Sequence, residues 1–174
     1  MNFVIAVLIG IFSGFVASLV FIIFFSKIRP SIDISDKVSY YTDDEGKKAF
    51  MIKIINRSRR PVVNLKAELE LVSQRFVKGG AIQRWKEIDL VRPDPMQIEK
   101  YDEKDIQGMY AFRFRTFEDI DQLWTDEERT FLRFRVMAID PLSGFSKVFV
   151  KNYYIKKNTL VQGDFAHGDT FQIS

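Results

Sequence analysis

The chain has 174 residues, with 26 Lys plus Arg, 23 Asp plus Glu, one His and no Cys. That length allows one globular domain plus a segment that is not globular. The missing cysteines exclude a disulfide framework, a thiolate nucleophile and a Cys-ligated metal, and a net charge of +3 is too mild to imply a nucleic-acid partner. No charged side chain occurs from Met1 to Ser26, so every Lys, Arg, Asp and Glu falls later. The sequence therefore divides into an apolar segment with its flanking end, residues 1–28, and a charge-rich domain, residues 29–174.

Phe3 to Phe25 is a run of apolar and small residues broken in polarity only by Ser13 and Ser18. As a helix it reaches roughly 34 Å, enough to cross a hydrocarbon core of about 30 Å. A cleaved signal peptide wants a basic start, a shorter apolar core and a small-residue cleavage site. Nothing basic precedes this run, and it ends in Ile22-Ile23-Phe24-Phe25. A single transmembrane anchor is the expectation. Lys27 and Arg29 follow it at once, so the positive-inside rule puts the C-terminal domain in the cytoplasm, at the inner cell membrane. The same two cations are candidate contacts for anionic lipid headgroups.

Ala6, Gly10, Gly14 and Ser18 recur every four residues along that helix. Small residues at this spacing let two backbones approach closely, which makes them candidate packing residues for a homo-oligomer or a membrane-protein partner.

After Pro30 the period changes to two. Ile32 and Ile34 alternate with polar neighbours, Phe50, Ile52 and Ile54 alternate with Met51, Lys53 and Ile55, and Val63 to Leu71 alternates without a break. Such alternation predicts half-buried strands with one wet face. Further strands are predicted at 85–91, 108–116, 130–139, 147–155 and 170–173, with turns at 43–46, 78–80 and 141–144. A short helix is predicted over 116–124, and most of the 17 Phe are expected to point inward. About eight short strands in one domain mean a sandwich or a barrel; the expected class is mainly β, an antiparallel sandwich with one N-terminal transmembrane helix.

The stretch Arg29-Pro30-Ser31-Ile32-Asp33-Ile34-Ser35, then Asp44-Glu45-Gly46-Lys47, then Phe50 to Ser58 with its Asn56-Arg57-Ser58 ending, resembles the start of the cytoplasmic domain of bacterial inward-rectifier potassium channels. The similarity continues through Val62 to Leu71, with weaker echoes at Asp140-Pro141-Leu142-Ser143-Gly144 and at Tyr154, Gly163 and Phe165. It implies an immunoglobulin-like β-sandwich that assembles about an axis and responds to ligands. A potassium pore needs two membrane helices around a carbonyl-lined filter. This sequence offers one such helix and no filter motif, so the resemblance implies the cytoplasmic module alone.

Chemistry is sparse. His167 is the lone imidazole, and the acids Glu118-Asp119 and Asp126-Glu127-Glu128 sit where turns and helix starts are predicted. No catalytic residue, metal site or cofactor is expected, and the chain reads as a non-enzyme. The most pointed polar feature is two arginine rows, Arg113 with Arg115 and Arg133 with Arg135, each alternating with apolar residues. If those strands are neighbours, four guanidiniums form a patch for a phosphate- or carboxylate-bearing ligand or a partner; the other reading is a sheet exterior paired with Glu68, Glu70 or the acids at 126–128. Arg57, Arg59 and Arg60 form a second cluster before Pro61.

Two functions are compatible with this reading. One is a single-pass, membrane-anchored β-module acting non-enzymatically through oligomerisation or a partner protein. The alternative is a membrane effector of a bacterial signalling or antiviral-defence system whose β-domain binds a nucleotide-like anion through the four arginines.

Overall fold

The computed structural model describes residues 3–26, 28–42, 46–125 and 129–174. Lys27, most of the predicted 43–46 turn and the acids at 126–128 lie outside the described residues. Helix α1 spans Phe3–Ser26, as the apolar run predicts. The rest is mainly β, in two five-stranded sheets.

The first sheet is centred on β3 (Lys48–Asn56). Along one of its edges lie β1 (Ile32–Ile34) and β2 (Val38–Thr42), both antiparallel to it, and β7 (Ala111–Thr116) takes the other edge. The short β10 (Leu160–Gln162) adds to β2 as a parallel partner. The second sheet is centred on β4 (Val62–Val77) and β8 (Thr130–Ile139), with β9 (Ser146–Tyr153) beyond β8. On the far side of β4 sit β5 (Gly80–Ile88) and the two-residue β6 (Gln97–Ile98). Two one-turn helices complete the chain, α2 (Ile120–Leu123) and α3 (Lys156–Thr159). Asp119 caps α2 by accepting from the Gln122 N–H at 3.1 Å.

The inward rows of both sheets share one core. Ile52, Ile54 and Phe114 from the first meet Leu65, Leu69, Phe134 and Val136 from the second. The rings of Phe114 and Phe134 stand 5.3 Å apart across the interface. These are the residues that the two-residue period points inward; Phe112, expected with them, is half-buried.

Three expectations need correction. First, 170–173 is not a strand: only Ile173 forms a bridge there, to Phe165. Second, most of the 17 Phe are not inward. Six lie on α1, and of the others only Phe50, Phe114, Phe131, Phe134 and Phe165 are buried. Third, β3 has no wet face, because Ala49, Met51, Lys53 and Ile55 are all buried on the side away from the core.

The cover over part of that second face is the C-terminal strap, residues 163–174. Its two arms pair through Asp164 with Ser174 and Ala166 with Gln172. Gly163 starts it at φ +130, where a Cβ would fall 2.5 Å from the Ser174 carbonyl oxygen, so only glycine fits this approach.

β4 outruns its neighbours. Past Gln74, whose N–H donates to the Arg129 carbonyl at 3.3 Å, it pairs among the described residues only with β5, and the two strands run out to a tight turn at Lys78 and Gly79. This projecting hairpin exposes Phe76, Val77 and Ile82, with Trp85 at its base.

Candidate functional site

The four arginines do not form one patch. Arg113 and Arg115 lie on β7 in the first sheet, whereas Arg133 and Arg135 lie on β8 in the second. Since Phe114 and Phe134 point at each other across the core, the alternating arginines point away from it on opposite faces. Period two gives the outward direction correctly but says nothing about which strands are neighbours. Each arginine is also engaged locally. Arg135 Nη2 donates to Glu70 Oε1 at 2.7 Å and pairs with Glu68 at 2.9 Å, as the sheet-exterior reading has it. Arg133 donates to Asn152 Oδ1 at 3.3 Å and lies over the Phe131 ring. Arg113 donates to the Phe165 carbonyl at 2.6 Å, and Arg115 stands over Tyr41.

The small residues of α1 form an open stripe. A Cβ placed at Gly10 or at Gly14 meets nothing within 4 Å. Ser18 turns its hydroxyl back to the Gly14 carbonyl at 2.9 Å, so the stripe carries no free hydroxyl donor there. Ala6 and Ser18 are exposed like the two glycines. The helix is long and apolar enough to cross a membrane, and its apolar span is not buried against the β-domain.

Where α1 ends, the chain meets two turns of the β-domain. Ser143 in the β8–β9 turn donates its hydroxyl to the Ile28 carbonyl at 2.9 Å, and Ser31 N–H donates to Ser58 Oγ at 2.8 Å. The 57–60 turn is set by Asn56, which is fully buried. Its amide donates to the carbonyls of Arg60 at 2.9 Å and Glu99 at 2.8 Å, and its Oδ1 accepts from the Ser58 N–H at 2.9 Å. These segments enclose a recess of about 350 Å³ lined by Ile28, Arg29, Ser58, Arg59, Arg60 and Asp140. The sequence marks Arg29 and the Arg57–Arg60 cluster separately; their meeting with Asp140 follows from the topology.

Lys53 was missed as a site residue, because its alternation suggests a solvated face. Only 1% of it is exposed, and its Nζ donates at 2.7 Å to each of the carbonyls of Ala166, Gly168 and Thr170. Burial chiefly, helped by the Arg113 and Arg57 charges and opposed by Asp169 and Asp164, pulls its pKa down to about 8. At neutral pH the ammonium still prevails, and its three donors match three acceptors. The strap is held further by Asp169, which accepts from Tyr101 Oη at 2.8 Å and pairs with Arg57 at 3.7 Å. His167 is exposed at the strap's tip. Among the described residues no group of three His, Asp or Glu is placed to hold a metal ion.

No family model and no curated protein match the chain. Among solved structures, it is similar to the sporulation control protein Spo0M from Bacillus subtilis, at 10% identity and a TM-score of 0.43. That match takes in 72% of this chain and 49% of the Spo0M chain, about half of that protein's length.

Proposed function

We propose that this chain is a single-pass inner-membrane protein. Helix α1 anchors it, and the β-domain, an immunoglobulin-like sandwich, stands on the cytoplasmic face and acts without catalysis, by self-association or through a partner protein. The observation that carries this reading is α1 itself. It is apolar on every side and its span is not covered by the fold, so lipid or other helices must cover it. Arg29, directly after it, supports the cytoplasmic placement.

Two further features support action through contacts. The Gly10–Gly14 stripe is unobstructed, which suits close helix packing. The projecting β4–β5 hairpin exposes the large apolar side chains Phe76, Ile82 and Trp85. The nucleotide-effector alternative loses its site, since the four arginines lie on opposite faces and each has a local partner.

The test is the native mass of the full-length protein in a membrane mimetic, together with a pull-down of its partners. A stable oligomer or a stoichiometric partner supports the reading. A monomer that captures nothing and partitions with soluble proteins refutes it.

A further inference from the structure

We propose that the recess between the end of α1 and the β-domain is a binding site for the phosphate of an anionic phospholipid headgroup, held by Arg29, Arg59 and Arg60. The inference rests on the membrane-anchored reading and adds a ligand to it.

Three guanidiniums line this recess against one carboxylate, Asp140. One oxygen of that carboxylate is already committed. Its Oδ1 accepts from the N–H groups of Leu142 and Ser143 at 3.0 and 2.9 Å. Its Oδ2 makes a long ion pair with Arg60 Nη1 at 3.9 Å, beyond hydrogen-bond range, so the pair leaves that nitrogen without an acceptor. Arg60 Nη1 is buried and has no hydrogen-bond partner. A buried guanidinium nitrogen without an acceptor is costly, and an oxyanion in the recess would supply one.

Position argues for a lipid rather than a free ion. Ile28 and Arg29 follow the last helical residue, Ser26, by only two and three positions, so an anchored α1 delivers the recess to headgroup depth. Beside it the β8–β9 turn exposes two apolar side chains, Leu142 at 62% and Phe145 at 41%, with the Arg29 guanidinium 5.9 Å from the centre of the Phe145 ring. Apolar side chains flanked by cations suit the boundary between headgroups and acyl chains. At about 350 Å³ the recess is at the small end of ligand sites, in keeping with a headgroup.

The experiment uses full-length protein in detergent micelles, titrated with short-chain phosphatidylglycerol, short-chain phosphatidylcholine and inorganic phosphate, with binding read by native mass spectrometry. Phosphatidylglycerol should bind in preference to the other two. Arg59→Gln and Arg60→Gln should each weaken it about fivefold, the equivalent of about 1 kcal/mol per cation. Arg84→Gln, which removes the same charge from the remote hairpin, should leave it unchanged. Arg59 is exposed, so its variant keeps the test valid if Arg60→Gln disturbs the turn. Equal binding of inorganic phosphate would overturn the lipid source. Equal loss in Arg84→Gln, or no loss in Arg59→Gln, would overturn the site. Alkaline extraction of membranes from the same cells separates the two levels. A chain that resists extraction yet ignores phosphatidylglycerol fails this inference alone, whereas a chain that is extracted fails the membrane reading as well.

Discussion

Replacing Lys53 with Met tests whether that side chain is the main anchor of the C-terminal strap. Met fills much the same volume on β3 but donates nothing, so the carbonyls of Ala166, Gly168 and Thr170 lose their shared partner. Hydrogen bonds from a charged donor contribute about 1.5–3 kcal/mol each. Against their sum stands the cost of holding an ammonium in a site that lowers its pKa from 10.5 to about 8, about 3 kcal/mol. The balance leaves a net loss on the order of 1.5–6 kcal/mol for strap closure, while the β3 ladders stay intact. Amide hydrogens of Asp164, Ala166 and Ser174, which close the strap, should exchange at least about tenfold faster in Lys53→Met. Hydrogen exchange followed by mass spectrometry on full-length protein reads this directly. Unchanged exchange in the strap, with a fall in global stability instead, would refute the assignment of Lys53 as its anchor.

The lowered pKa of Lys53 also gives a pH dependence. Its cost is fully present below about pH 8 and is relieved as the pH rises toward 10.5, where the unfolded chain still binds the proton and the folded chain does not. Wild type should therefore gain stability relative to Lys53→Met between pH 8 and 10, measured by urea unfolding; a constant difference would count against the burial argument. Above pH 10 Tyr153, whose buried hydroxyl stays protonated in the fold, acts in the opposite sense. Phe134→Ala, at the meeting point of the two sheets, should cost about 3–5 kcal/mol, and a cost under 1 kcal/mol would show the shared core to be loose. Asn56→Ala removes three hydrogen bonds from a fully buried side chain and should cost about 2–3 kcal/mol in the same assay. A reporter fused after Ser174 should behave as cytoplasmic; activity of an external reporter there would reverse the proposed orientation.

Local pattern was legible in the sequence and long-range pairing was not. The 130–139 strand was readable at both ends, and its buried Leu132, Phe134, Val136 and Ala138 alternate with the half-buried Arg133, Arg135, Met137 and Ile139. The inward phase of β3, β4, β7 and β8 followed from the same rule. That rule failed on the second face of β3, since Lys53 is buried under a segment more than a hundred residues later, which no window of ten residues can sense. It failed again for the arginine rows. Arg113 and Arg133 carry the same local signal, yet β7 pairs with β3 and β8 with β4 and β9. β2 and β10 escaped notice because Val38–Thr42 and Leu160–Gln162 are short and do not alternate. At the recess, the sequence offered Arg29, the Arg57–Arg60 cluster and the Asp140 turn as separate features, and only the sheet topology makes them neighbours.

The most direct test of the proposed function uses the absence of cysteine from the chain. Single cysteines introduced into α1, at Ala6 or Ser18 on the small-residue stripe and at Leu8 or Phe15 off it, would be the only thiols in this chain. Oxidation in native membranes should link the stripe positions to a second copy of the chain and leave the off-stripe positions unlinked. The double substitution of Gly10 and Gly14 by Leu should abolish that link without lowering the amount in the membrane, since Leu fills the groove and favours insertion. Equal linking at all four positions, or linking that survives the double substitution, would contradict assembly through this helix.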